Sequence, residues 1–264
     1  MNIIDKYNSR ADKVNSLVCV GLDSEFEKLK GESQFSFNKK IIDQTHEHVA
    51  SYKLNIAFYE ARGDEGLREL KKTMDYLREN YPDIFTICDA KRGDIGNTNN
   101  GYVTEILDWL EFDAMTLHPY MGKESLMPFL ERKDKFFFVL CRTSNPGAGE
   151  FQNLSGRTAG SDEAVRPLWA LVAEHVSTWG DNCGLVVGAT APKELKQTRK
   201  LVGDMTFLVP GIGAQGGSVQ ETVEAGLNSQ NKGLVIHSAR GIIFSDDPKR
   251  ETIKLQKEIN SYRL

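Results

Sequence analysis

The sequence predicts an α/β fold, a single (β/α)8 TIM barrel, on three observations. The chain has 264 residues, and this fold typically needs about 250. Eight short runs rich in valine, isoleucine, leucine and phenylalanine alternate with longer amphipathic segments. Such near-continuous apolar runs suit the strands of a parallel sheet that is covered on both faces. Because a count of strands does not prove that the sheet closes, a doubly wound open sheet is the alternative.

The apolar runs are the predicted strands, and the segments between them are the predicted helices. In 64–80, for example, Leu70, Met74 and Leu77 recur at the spacing of one helix face. The strands are predicted at 16–22, 51–57, 84–89, 114–118, 135–141, 184–188, 206–210 and 233–237. The helices are predicted at 37–49, 64–80, 98–110, 125–131, 162–180, 192–202, 218–225 and 248–261.

The chain is expected to form one domain over 1–264. No long stretch rich in proline, glycine or serine divides it. Residues 1–15 precede the first predicted strand, and we expect an extra N-terminal helix there that covers the bottom of the barrel.

Composition and charge argue against several functional classes. The chain carries 33 Lys and Arg against 37 Asp and Glu, whereas a nucleic-acid binder usually has a basic excess. No apolar run approaches the roughly 20 residues of a membrane-spanning helix, and the polar start lacks the core of a signal peptide. The four cysteines lie in or beside apolar runs without a CxxC pair, which predicts buried free thiols and a reducing cytoplasm.

The densest group of charged residues ends the third predicted strand. Chemistry in a barrel gathers at the C-terminal ends of the strands. Asp89 and Lys91 are two residues apart, so on an extended chain both point to one face, and Asp94 follows in a turn flanked by glycines. Buried charges are costly unless paired, and a carboxylate held beside another is an arrangement typical of active sites. The alternative is an ion pair that only closes the end of the strand.

Two glycine-rich turns predict a phosphate site. The segment 208–218 begins at the end of the seventh predicted strand and leads into a helix, and the segment 236–242 begins at the end of the eighth. Loops after these two strands of a barrel often bind phosphate, because glycines and a helix start present backbone N–H groups to an anion. Arg240 would add a planar bidentate donor.

Three smaller features also lie at predicted strand ends. Asp23 follows the first strand. Lys53 stands inside the second, where a charge is unusual, so we expect it to face the mouth and to pair with Asp23 or Asp89. The segment 143–149 fits either a lid over the site or an ordinary turn.

Taken together, these motifs resemble those of the orotidine 5′-phosphate decarboxylase family. Residues 89–95, DAKRGDI, match its D-x-K-x-x-D-I signature, and DAKRGDIGNT with TSNPG is similar to the longer bacterial subgroup, type 2. The D-x-K-x-x-D core also occurs in related sugar-phosphate enzymes, but its combination with PGIGAQGG and a late arginine is more specific. The similar segments are 19–23, 51–60, 89–98, 143–147, 209–216 and 238–241.

The resemblance implies a cytoplasmic homodimer that converts orotidine 5′-monophosphate (OMP) to uridine 5′-monophosphate (UMP) and carbon dioxide in de novo pyrimidine biosynthesis. It implies no metal and no organic cofactor, and it places the active sites at the dimer interface. By position, Lys91 is the proton donor and Asp89 lies beside the leaving carboxylate. Asp94 and Thr98 reach into the partner subunit's site.

The same resemblance implies the substrate-binding residues. Asp23 and Lys53 hold ribose hydroxyls and the charge network, and Ser144 contacts the pyrimidine. Gln215 bridges toward the phosphate that Arg240 binds. The remaining positions are Pro210, a further substrate-binding residue, and Ala239, where shorter members of the family carry glycine.

Two rival functions stay open. One is a magnesium-dependent decarboxylase or aldolase-like enzyme that acts on a sugar phosphate, and a chelator distinguishes it from the metal-free reaction. The other is a nucleotide-binding protein without catalysis. A binder has no need of Lys91 between Asp89 and Asp94, so their presence argues against it.

Overall fold

Eight parallel strands form a closed barrel in this computed structural model, which describes residues 3–157, 165–213 and 216–263. The strands are β1 (Val18–Gly21), β2 (Ser51–Asn55), β3 (Phe85–Arg92), β4 (Ala114–Leu117), β5 (Phe136–Arg142), β6 (Cys183–Val187), β7 (Phe207–Val209) and β8 (Leu234–Ser238). Strands that follow one another in sequence pair in parallel, and β8 pairs with β1 to close the ring. The closed barrel is therefore confirmed, and the alternative of an open sheet is excluded.

Every predicted strand overlaps an observed one, and the largest difference is at β3. This strand runs to Arg92, three residues beyond the predicted end at 89. The four cysteines are free and buried, as predicted. A short antiparallel pair, Ser155–Gly156 with Arg166–Pro167, lies outside the barrel sheet after β5.

The predicted helices are present, 192–202 and 248–261 with the predicted bounds and the other six with changed bounds. The segment predicted at 125–131 is broken into two short helices around Leu126, because Pro128 has no N–H to continue the first one. The segment predicted at 98–110 begins as an α-helix and continues as a π-helix. The predicted helix 162–180 is observed at Leu168–Ser177, and 162–164 lie outside the described residues.

The helices between and beside the strands are as follows. The α-helices are Ile4–Val14, Gln34–Thr45, Ala57–Glu60, Gly63–Asn80, Thr98–Tyr102, Gly122–Ser125, Met127–Leu130, Gly149–Gln152, Leu168–Ser177, Pro192–Val202, Val219–Gly226, Arg240–Ile243 and Pro248–Ser261. Three 3-10 helices, at Phe26–Leu29, His46–His48 and Pro146–Ala148, and the π-helix Val103–Trp109 complete the set. None of these helices is long and apolar enough to cross a membrane.

The first helix, Ile4–Val14, packs across the N-terminal ends of the strands. Its fully buried Tyr7 donates a 2.6 Å hydrogen bond to the carbonyl oxygen of Leu234, the first residue of β8. The Tyr7 ring also packs edge to face on Phe85, the first residue of β3, with ring centroids 5.9 Å apart. The helix therefore covers the bottom of the barrel and leaves the opposite end open.

The Tyr7 hydroxyl is predicted to stabilise this bottom closure. Replacing Tyr7 with phenylalanine keeps the ring packing but removes the hydroxyl that donates to the buried carbonyl oxygen of Leu234. The free energy of unfolding should therefore fall by about 1–3 kcal/mol. Urea denaturation measures this loss. Tyr120→Phe is the matched control, because Tyr120 is 92% exposed and losing its solvent-exposed hydroxyl should not change the free energy of unfolding. Equal stability of the Tyr7→Phe variant and the unaltered protein would contradict the prediction.

Candidate active site at the mouth of the barrel

Four side chains of alternating charge cross the open end of the barrel. The Nζ atom of Lys53 lies 3.5 Å from Oδ1 of Asp23 and 3.0 Å from Oδ2 of Asp89. The other oxygen of Asp89, Oδ1, lies 2.6 Å from Nζ of Lys91. Lys53 is only 3% exposed, whereas Lys91 is 48% exposed. The buried lysine therefore holds the two carboxylates, and the second lysine presents its ammonium to a ligand.

The backbone at the end of β3 differs from the extended chain that the sequence argument assumed. Lys91 has φ of 47°, in the left-handed region. The register between β3 and β4 also shifts between Cys88 and Arg92, as in a β-bulge. The two side chains still meet, because the bulge turns the Lys91 side chain back toward Asp89.

The charges of the buried pair support each other. Burial alone would raise the pKa of Asp89, but the ammonium groups of Lys53 and Lys91 outweigh burial and hold this pKa well below its usual range. Burial would likewise lower the pKa of Lys53, and the carboxylates of Asp23 and Asp89 reverse that effect and raise it. Both groups are therefore ionised at neutral pH.

Two neighbouring cavities open at this end of the barrel. The first, which we call the Lys91 cavity, has a volume of about 500 Å³ and is lined by the four charged residues, by Ser144 and by Pro210. The second, the Arg240 cavity, has a volume of about 390 Å³ and lies against the turns after β7 and β8. Asp23, Asn55 and His237 line both cavities, so one elongated ligand can occupy the two.

His237 stands at the junction of the cavities as a neutral imidazole. Burial lowers its pKa well below the usual value, and the nearby ammonium of Lys53 lowers it further. Its Nε2 atom has no hydrogen-bond partner among the residues that the structure describes. The ring lies over the end of β1, where a Cβ on Gly21 would be 2.4 Å from Nε2. A glycine is therefore needed at this position.

The loop after β5 is held against the Lys91 cavity by Gln152. The side-chain oxygen of Gln152 accepts a 2.9 Å bond from the backbone N–H of Thr143, and its amide nitrogen donates a 2.8 Å bond to the Thr143 hydroxyl. Gly188 leaves room for the loop, because a Cβ there would be 2.8 Å from Ser144. Whether this loop acts as a lid stays a prediction.

Asp94 and Thr98 are not among the described residues that line the two cavities. The Asp94 side chain accepts a 2.7 Å bond from the N–H of Ile95, and Asn99 bonds to both its backbone N–H and its carbonyl oxygen. The side chain of the neighbouring Ile95 is 60% exposed. Asp94 is therefore fixed in a turn outside the lining of either cavity.

The other predicted site residues fall into two groups. Asp23, Lys53, Asp89, Lys91, Ser144 and Pro210 line the Lys91 cavity. Arg240 is exposed and lines the other cavity beside Ala239. Gln215 lies outside the described residues, so its predicted role is not tested by the geometry.

Four polar residues that line the Lys91 cavity were given no role from the sequence: Asn55, Thr116, Gln152 and His237. The alternation of side chains along β2 would have found Asn55, two residues after Lys53. His237 stands in the eighth predicted strand, but its residue type alone gave no role. Nothing in the sequence marked Thr116 or Gln152, since both act through contacts with distant residues.

Comparisons with known proteins agree on one family. Residues 16–255 match the family described as "Orotidine 5'-phosphate decarboxylase / HUMPS family". A Christiangramia forsetii protein named orotidine 5'-phosphate decarboxylase is 46% identical over 243 residues, 89% of this chain and 86% of that protein. A Dehalococcoides mccartyi protein of the same name is 40% identical over 273 residues, 100% of this chain and 99% of that protein.

A solved structure gives the same result. The structure of Leishmania donovani OMP decarboxylase superposes with a TM-score of 0.88 at 39% sequence identity. The match covers 100% of this chain and 99% of that one.

Lys53 is predicted to carry the stability of the charged cluster. Lys53→Met leaves Asp23 and Asp89 buried without their shared cation, so the free energy of unfolding at pH 7 should fall by about 3–5 kcal/mol. Chemical denaturation measures this loss. Lys249→Met is the control, because Lys249 pairs with Glu47 on the exposed surface.

The loss should depend on pH with a defined sign. The pKa of Asp89 is lower in the folded protein than its value of about 3.9 in the unfolded chain. This difference stabilises the folded protein at pH values above about 3.9, and the contribution is lost as the pH falls through the folded pKa. Lys53→Met removes the main cause of that depression. The difference from the unaltered protein should therefore be largest near neutral pH and shrink below about pH 4. A difference that is constant with pH would contradict the electrostatic account.

Proposed function

The chain belongs to the orotidine 5′-phosphate decarboxylase family, and we propose that its Lys91 protonates C6 of the pyrimidine as OMP becomes UMP. The chain is an OMP decarboxylase, a carboxy-lyase that converts OMP to UMP in pyrimidine biosynthesis. One observation carries the proposal. The ammonium of Lys91 lies 2.6 Å from Oδ1 of Asp89, and Lys91 lines the Lys91 cavity.

The chemistry of the substrate explains why an ammonium is needed. Loss of carbon dioxide from C6 leaves a lone pair in the plane of the ring, where it cannot delocalise into the π system. A site must therefore stabilise localised negative charge. A lysine ammonium does so electrostatically and then donates its proton to the carbon. Because Lys91 is a compact charge on a flexible chain, it suits both tasks.

Asp89 is assigned two roles in this proposal. It holds the ammonium of Lys91 in place, and it lies beside the carboxylate of the substrate. In the enzyme–substrate complex the Asp89 carboxylate and the substrate carboxylate repel each other, and the repulsion is relieved as neutral carbon dioxide leaves. Asp89 can act in this way because Lys53 and Lys91 hold its pKa well below the usual range. It therefore stays ionised when a second negative charge approaches.

The two cavities fit the rest of the nucleotide. We place the pyrimidine in the Lys91 cavity against Ser144 and Pro210, and the phosphate in the Arg240 cavity. Asp23 and Lys53 then face the ribose, since Asp23 lines both cavities. Gln215 is proposed to bridge toward the phosphate.

Binding of the phosphate can contribute to catalysis from a distance. The uncatalysed loss of carbon dioxide is slow enough that the site must lower the barrier by on the order of 20 kcal/mol. Interactions of Arg240 with a remote phosphate supply binding energy that orders the loops around the reacting atoms. The Arg240 guanidinium suits this role because it can donate two parallel hydrogen bonds to phosphate oxygens.

A homodimer with shared active sites is part of the proposal. Asp94 and Thr98 would complete the partner subunit's site, and the exposed Ile95 beside Asp94 supports an interface on this side. A cytoplasmic location and a single domain over 1–264 complete the proposal.

The proposed reaction uses no metal and no organic cofactor. Within the described ranges, no group of three or more His, Cys, Asp or Glu side chains is placed to hold a metal ion. The rival metal-dependent reaction on a sugar phosphate is tested by assaying OMP turnover, followed by ultraviolet absorbance, in excess chelator. Full activity supports the metal-free reaction.

Lys91→Ala is predicted to abolish turnover and spare binding. The rate constant kcat should fall by about 10⁴-fold or more, because the variant loses both the stabilising charge and the proton donor. The dissociation constant of UMP, measured by calorimetry, should change far less. Lys13→Ala, at an exposed pair with Asp83 on the far end of the barrel, is the control. Near-normal turnover by Lys91→Ala would remove Lys91 from the proposed role.

Mixing two inactive variants is predicted to restore activity if the sites are shared. In a Lys91→Ala and Asp94→Ala mixture, half of the dimers are mixed, and each has one site with both groups intact. About one quarter of the wild-type activity should therefore return. Native mass spectrometry shows whether subunits have exchanged. Exchange without recovery of activity would exclude a shared site.

A further inference from the structure

Thr116 joins Asp89 and Lys91 of β3 through a single hydroxyl group. It stands on β4, is 1% exposed and lines the Lys91 cavity. Its Oγ1 donates a 2.9 Å hydrogen bond to Oδ1 of Asp89 and accepts a 2.9 Å bond from the backbone N–H of Lys91. We propose that Thr116 is a positioning residue for the decarboxylation, which acts by holding Lys91 in its reactive conformation. This inference rests on the proposed role of Lys91.

The backbone of Lys91 needs such an interaction. The left-handed region is sterically unfavourable for any residue other than glycine, and Lys91 has φ of 47°. The β3–β4 register shifts between Cys88 and Arg92. At this bulge the hydroxyl of Thr116 accepts the Lys91 N–H. The side chain of Thr116 therefore stabilises a conformation that lysine disfavours.

The hydroxyl also couples this backbone to the charge that anchors the ammonium. Oδ1 of Asp89 accepts from both Nζ of Lys91 and Oγ1 of Thr116. Because the hydroxyl hydrogen points at the carboxylate, an oxygen lone pair is directed toward the Lys91 N–H. Asp89 therefore holds the ammonium of Lys91 directly and its backbone N–H through the hydroxyl of Thr116. A displacement of about 1 Å at a reacting group can cost 100-fold in rate.

The barrel contains a matched threonine at its opposite end. Oγ1 of Thr86, near the start of β3, donates a 3.0 Å bond to Oδ2 of Asp113 and accepts a 3.1 Å bond from the Asp113 backbone N–H. Like Thr116, the buried Thr86 donates to a carboxylate and accepts from a backbone N–H, but both groups belong to one residue, Asp113. Thr86 lies near the bottom of the barrel. It therefore separates the effect of losing a buried hydroxyl from the effect on Lys91.

The experiment compares Thr116→Val, Thr116→Ser and Thr86→Val with the unaltered enzyme. For each protein we would measure kcat and KM for OMP, the dissociation constant of UMP and the melting temperature. Thr116→Val should lower kcat by about 10- to 100-fold, because the Lys91 ammonium is misplaced, and leave UMP binding within about threefold. Thr116→Ser keeps the hydroxyl and should recover most of kcat. Thr86→Val should lower the melting temperature without the loss of kcat.

Each outcome decides the inference. Normal kcat in Thr116→Val, no recovery in Thr116→Ser, or an equal loss of kcat in Thr86→Val would overturn it. Should the valine variant not fold, Thr116→Ala removes the same hydroxyl and is judged by the same criteria. Failure of the proposed function is distinguishable, because Lys91→Ala would then turn over OMP normally. An essential Lys91 with a fast Thr116→Val overturns only the positioning role.

Discussion

The ion pair between buried Lys53 and Asp89 is the interaction on which the rest of the site depends. An isolated charge inside the barrel would be neutralised, because burial opposes ionisation of both groups. Together with Asp23, the two residues form a buried set in which each charge has a partner of opposite sign. Asp89 is consequently ionised in the position where it can anchor Lys91. The ammonium of Lys91 is thus held by the carboxylate of Asp89, which the ammonium of Lys53 holds in turn.

The two ends of the barrel differ in structure: the bottom is closed by packing, and the two cavities lie at the mouth. The helix Ile4–Val14 closes the bottom with Tyr7, so the strands can present charged residues at the top. At the top, the Lys91 cavity contains the groups suited to the reacting carbon, and the Arg240 cavity contains those suited to a phosphate. In the proposed function, the chemistry belongs to the ends of strands β2 and β3, and phosphate binding belongs to the turns after β7 and β8.

Much of this architecture could be predicted from the sequence, because its signals are local. The apolar runs gave the strands, and a lysine inside one of them indicated a charge that must face the mouth and find a partner. The geometry at Lys91 could not be predicted in the same way. Its positive φ occurs at a bulge against β4, and its backbone N–H donates a hydrogen bond to the hydroxyl of Thr116, 25 residues away. Asp94 belongs to a third class, since its proposed target lies on a second chain.

A structure of the enzyme bound to UMP tests the central claim most directly, because UMP carries the proton that Lys91 is proposed to deliver. The account predicts Nζ of Lys91 within about 3–3.5 Å of C6, with Asp89 still bonded to Lys53 and the phosphate at Arg240. A UMP ring whose C6 faces another side chain, with the Lys91 ammonium turned away, would contradict it.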